Sequence, residues 1–163
     1  MKKLNPDSYI RTEMIVREFL SKYRYLHEER IQKLLFYTEL YTIHNYEQQF
    51  TNLPWTPGYV GFHSDVLSCI LSNVDIESKD TGNKQGIKYI GHYVSETDLT
   101  ESEKEIIEQV HQYCQQYNTE TLTQKIKSTE IYQNSKDGEP VTFEDYIEIV
   151  SNTPREYRNF SIK

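Results

Sequence analysis

Two cysteines and five histidines are the side chains of this 163-residue chain best suited to covalent or metal chemistry. A thiol becomes a nucleophile when a neighbouring base takes its proton, so the pairing to look for joins Cys69 or Cys114 to His63 or His111. On a helical reading Cys114 lies on an inward stripe with His111 at its border, a placement that suits a small core residue and a boundary imidazole. Among His27, His44, His63, His92 and His111 no two stand four residues apart, the spacing that turns two imidazoles toward one metal. Neither a glycine-rich phosphate cradle nor a nucleophile elbow occurs. Glu28 and Glu29, and Glu101, Glu103 and Glu105, fall near expected helix starts, where negative charge complements the helix dipole. The expectation is therefore no catalytic residue, no metal and no cofactor. A small Cys/His-dependent enzyme stands as the alternative.

The formal charge of −7 opposes the electrostatic footprint of a general nucleic-acid binder and suits a basic partner better. Lys2, Lys3, Arg11, Arg17, Lys22, Arg24 and Arg30, interleaved with Tyr23 and Tyr25, make a relatively basic N-terminal face. That face is what a nucleic-acid-binding regulator would use, but a solvated helix surface is the stronger reading, because acidic residues intervene. There is no run of about eighteen apolar residues and no apolar stretch after the opening lysines, so a cytoplasmic protein without membrane contact is expected. Without a C-x-x-C pattern the two cysteines read as reduced packing residues.

The elements that must position these residues follow from apolar spacing. Alanine is absent while tyrosine occurs 14 times, so helices here must draw stability from burying a face. Stripes predict helices over 8–22, 28–46, 63–74, 100–117, 120–127 and 143–150. Thr100 and Glu103 form a capping box, and Thr142 is placed to cap the last helix. The 28–46 segment is apolar nearly all round and should be buried on several sides. The segment FTNLPWTPGYVG is expected to be irregular or extended and to send Trp55 and Tyr59 into the core. Around Ile87, Tyr89 and Gly91 a short strand is expected, paired with residues near 74–78. The fold class is mainly α, a compact helical domain of about five to seven helices with one short β-hairpin or strand pair. Residues 1–153 form a single domain, and 154–163 a loosely held C-terminal tail.

The order of motifs resembles the Panacea antitoxin domain, a family also described as SocA-like or GepA, over residues 8–150. Gln32-Lys33-Leu34-Leu35, followed by Phe36 and Tyr37, is similar to the family's most specific helix. Gly61-Phe62-His63-Ser64-Asp65-Val66-Leu67 is similar to its second motif, with Phe62 where proline is usual. Ser128-Thr129-Glu130 falls where the family often has a histidine, which is absent here. Gly61 suits a tight turn, and Ser64 the start of a helix. The resemblance implies a mostly helical, non-enzymatic protein that works by contact. Its expected partner is a toxin encoded by an adjacent gene, with a protease or chaperone as a further partner if it acts as a proteolytic adaptor. The partner-binding residues expected on this basis are Lys33, Tyr37, His44, Trp55, Tyr59 and Phe62, on a face apart from the core residues Leu34 and Leu35. Replacing Lys33 or Tyr37 should then leave the domain folded.

Overall fold

The computed structural model describes residues 6–23, 26–72, 76–81, 84–89 and 99–158, with side chains placed for all of these except 6–8, 76–81 and 84–89. Helix α1 (Pro6–Leu20) starts on a proline, whose fixed φ suits the first helical position. It buries Ile15, Val16, Phe19 and Leu20. A short strand β1 (Leu26–His27) leads directly into α2 (Glu28–Tyr46), the longest helix. Every residue from Ile31 to His44 is buried. Helix α2 packs against α1 and against three later helices, α4 (Glu101–Cys114), α5 (Thr119–Lys127) and α7 (Glu144–Ser151). An apolar surface on all sides of a helix requires that number of neighbours.

Between α2 and α4 lie two small antiparallel sheets. Strands β2 (Thr56–Gly58) and β3 (Gly61–His63) form a ribbon closed by Tyr59 and Val60. Gly61 has φ +102°, a conformation that L side chains rarely adopt, and this is why glycine stands there. Ser64 caps helix α3 (Asp65–Leu71), its hydroxyl accepting from the Leu67 N–H at 3.3 Å. Strands β4 (Ile76–Thr81) and β5 (Lys84–Tyr89) form the expected hairpin, with Ser78 opposite Ile87. Strand β1 pairs with β5, so the sheet order is β1-β5-β4. The Thr100–Glu103 capping box opens α4 with both of its hydrogen bonds made. Helix α5 and the four-residue α6 (Glu130–Gln133) begin on Asn118 and Thr129 caps, respectively. Among the described residues the protein is thus mainly α, with seven α-helices of which α2 is the central one.

Four local expectations change. Helix α3 stops at Leu71; Val74, expected to extend it, lies outside the described residues, as does Gly91. Cys69 is exposed on α3, not packed in the core. Thr142 does not cap α7: Phe143 occupies that position with helical backbone angles, and its own carbonyl takes the Ile147 N–H at 2.8 Å. After Pro154 the chain makes a short 3₁₀ turn, Arg155–Tyr157, and is tied down. Arg155 donates to the Asn45 carbonyl at 3.1 Å, and Arg158 donates to the His44 carbonyl at 3.1 Å and to Glu47 at 3.0 Å.

Candidate functional site

The polar residues of α2 point inward and hold the segments around it. Gln32 exchanges two hydrogen bonds with the backbone of Ser64, its amide donating to the carbonyl and its oxygen accepting from the N–H, both at 3.0 Å. The pairing imitates a strand ladder with a side chain. Lys33 is 1% exposed; its ammonium donates to the Val60 carbonyl at 2.8 Å and lies 3.5 Å from Glu29. Tyr37 donates to the Leu122 carbonyl of α5 at 2.9 Å, and burial raises its phenol well above the usual range. His44 Nε2 and the Tyr146 hydroxyl are 2.6 Å apart.

The largest of these anchors was not evident from the sequence. Glu39 is fully buried and accepts five hydrogen bonds. The donors are the N–H groups of Phe50 and Thr51, the Thr51 hydroxyl, the Gln49 amide and the Trp55 indole, all at 2.8–3.1 Å. Burial pushes the Glu39 carboxyl above its ordinary value, and these donors act against that push by favouring the charged form. Arg11 closes the same region from α1, donating to the Phe50 carbonyl at 3.0 Å and lying over the Phe50 ring. A usable signal was present in the sequence: a glutamate inside a helix that is apolar all round must find donors, and the Trp55 indole must find an acceptor.

The expected partner-binding face is therefore divided. Lys33, Tyr37, His44, Trp55 and Phe62 are all buried. Phe62 stacks on Phe36 with ring centroids 4.3 Å apart, and Trp55 meets the same ring edge-on at 5.2 Å. Their polar atoms and ring faces serve internal contacts, so replacing Lys33 or Tyr37 is a change in the core. Tyr59 is the exception, being 90% exposed where a core position was expected. It sits in a two-residue turn, and the outermost side chains of a ribbon are those of its turn. Val60 beside it is half exposed, and the Lys127 ammonium lies 4.9 Å from the Tyr59 ring centroid. The backbone of the ribbon is held from both sides, up to its turn. Lys33 takes the Val60 carbonyl, the Tyr132 hydroxyl donates to the Gly58 carbonyl at 2.9 Å, and the Val141 N–H donates to the Trp55 carbonyl at 2.8 Å. The motif residues Leu34, Leu35 and Leu67 are core, while Gly61 and Ser64 shape the junction of ribbon and α3.

The remaining sequence candidates are accounted for by local contacts. Burial pushes the Cys114 thiol up to about 12, the reverse of what a thiolate nucleophile needs. His111 Nδ1 lies 2.6 Å from the Tyr23 hydroxyl. On the basic N-terminal face, Arg11 pairs with Glu103, Arg17 with Glu13 at 2.7 Å and Lys22 with Glu108 at 2.6 Å. Arg30 donates to the Cys114 carbonyl at 2.8 Å. Lys2, Lys3, Arg24, Tyr25 and His92 lie outside the described residues. Among the described residues no three His, Cys, Asp or Glu side chains converge as a metal would require, and no helix is long and apolar enough to cross a membrane.

The family model described as antitoxin SocA-like, Panacea domain, matches residues 31–133, from the start of the buried run of α2 to the end of α6. No curated protein and no solved structure matches the chain. The matched family supports an antitoxin role and a protein partner in general terms, and suggests a role that is not enzymatic.

Proposed function

Because the chain belongs to the antitoxin SocA-like, Panacea domain family, we propose that it neutralises a protein toxin by direct contact and that the tip of the β2–β3 ribbon is part of the contact surface. The observation that carries this reading is the contrast within the ribbon, whose backbone is hydrogen-bonded as far as its turn, at the Gly58 and Val60 carbonyls, while the Tyr59 side chain is 90% exposed. An aromatic side chain on a preordered support offers much contact area for little ordering cost, which is the character of an interface hot spot. Lys33, Trp55 and Phe62 contribute to binding indirectly, by fixing the ribbon, and the toxin is the product of the adjacent reading frame.

Co-expression with that product tests the proposal. Tyr59→Ala should keep the melting temperature and weaken toxin binding by about tenfold or more, with loss of growth rescue. Full rescue and unchanged affinity in this variant would remove the ribbon tip from the interface. Toxin abundance measured in the same cells separates two modes of action: constant toxin during rescue fits direct blocking, whereas a falling level means delivery to a protease.

A further inference from the structure

We propose that the groove between α6 and α7 is a second docking surface, shaped for a basic segment of the protein partner that carries an apolar side chain between lysines or arginines. It deepens the antitoxin reading and rests on it for the partner being a protein. The groove encloses 260 Å³, with Ile131, Val141, Tyr146 and Ile149 along its apolar part and Glu139, Asp145 and one cation, Lys136, as its charged lining. A neighbouring recess of 180 Å³ shares Tyr146 and Ile149 and reaches Glu130 and Arg158. Ile149 is thus a ridge between two hollows, and it is 39% exposed.

The electrostatics select the occupant. Residues 130–149 carry six acidic side chains, Glu130, Asp137, Glu139, Glu144, Asp145 and Glu148, against Lys136 alone, which is most of the chain's formal charge of −7. All six are exposed, and none has an ion-pair partner among the described residues. Elsewhere Glu13, Glu47, Glu103 and Glu108 each meet an arginine or lysine. Helix dipoles explain Glu130, Glu144 and Asp145, which lie in first turns. They do not explain Asp137 and Glu139 in the loop, or Glu148 near the C-terminal end of α7, where negative charge opposes the dipole. An apolar ridge with the unpaired carboxylates of Glu139 and Asp145 on one side and Glu130 on the other is complementary to a basic amphipathic segment.

The test uses the full chain, isotope-labelled, titrated with a synthetic peptide bearing lysines and leucines at helical spacing and with its glutamate–leucine counterpart. The lysine peptide should bind with amide shifts concentrated at Ile131, Tyr146 and Ile149. Affinity should fall about tenfold or more in the double variant Glu139→Lys/Asp145→Lys and in Ile149→Ser, at unchanged melting temperature, and should be unaffected by Tyr59→Ala. Equal binding of the acidic peptide, shifts centred elsewhere, or an unaffected charge-reversal variant would overturn the proposal. Toxin rescue separates the two readings. A charge-reversed protein that rescues fully while Tyr59→Ala does not would dismiss the groove and keep the antitoxin. Failure of the unaltered protein to rescue would dismiss the antitoxin and leave the peptide titration to decide the groove.

Discussion

Residues 49–64 and residues 141–158 both fold back onto α2, the first around a buried carboxylate and a buried ammonium, the second through a phenol and two arginines. The difference follows from what each segment does with its own backbone. From 49 to 55 the chain has no regular secondary structure, so its N–H groups need acceptors from outside, and Glu39 supplies them to Phe50 and Thr51. Lys33 does the complementary work for the Val60 carbonyl. The later segment contains α7, which satisfies most of its own groups and needs α2 only at its edges, through His44–Tyr146 and the Arg158 contacts. Buried charge occurs in this fold where it substitutes for a missing ladder.

Substitutions along α2 can break that contrast. Glu39→Ala should have the largest effect, because it strands several buried donors at once; a loss of more than about 3 kcal/mol is expected in chemical denaturation. Glu39→Gln keeps the shape but turns a new N–H₂ group toward donors, and about 2 kcal/mol is expected from it. A mild effect from both would mean that water, and not the carboxylate, supports the segment. Tyr146→Phe removes a single hydrogen bond to His44 and should cost about 1 kcal/mol, leaving the 49–64 segment undisturbed in amide spectra. Arg155→Ala, at the surface end of the series, removes one exposed hydrogen bond to the Asn45 carbonyl and should shift stability by less than about 1 kcal/mol. If it cost as much as Glu39→Ala, the two segments would not be held by different means.

The apolar stripes made most helices legible, and local chemistry made Ser64, Gly61 and the Thr100–Glu103 box legible, because each depends on residues within a few positions of itself. The hairpin of β4 and β5 was legible for the same reason. What was not legible depended on a fold already formed. Lys33 and Tyr37 look like an exposed polar face until α4, α5 and the ribbon close over them. Tyr59 reads as core by residue type, yet the glycines on either side of Tyr59-Val60 set it at a turn where a side chain can only point outward. Cys69 reads as packing by the same rule and lies on the open side of α3. The acidic character of 130–149 is plain in the sequence, but the groove that gives it meaning needs α6 and α7 side by side.

The Glu39 cradle also bears on the order in which the chain assembles. Its donors lie only 10 to 16 positions downstream, whereas the His44–Tyr146 contact spans 102 positions and the Arg158 contact with the His44 carbonyl spans 114. Closing the shorter loop costs less entropy, by about 0.6 kcal/mol for each halving of length. During synthesis, residues 28–55 can therefore leave the ribosome and meet their own acceptor well before α7 exists, while the C-terminal contacts wait for the last stretch of chain. A premature stop after α6 would leave a nascent protein with its central carboxylate already satisfied and its acidic groove unbuilt.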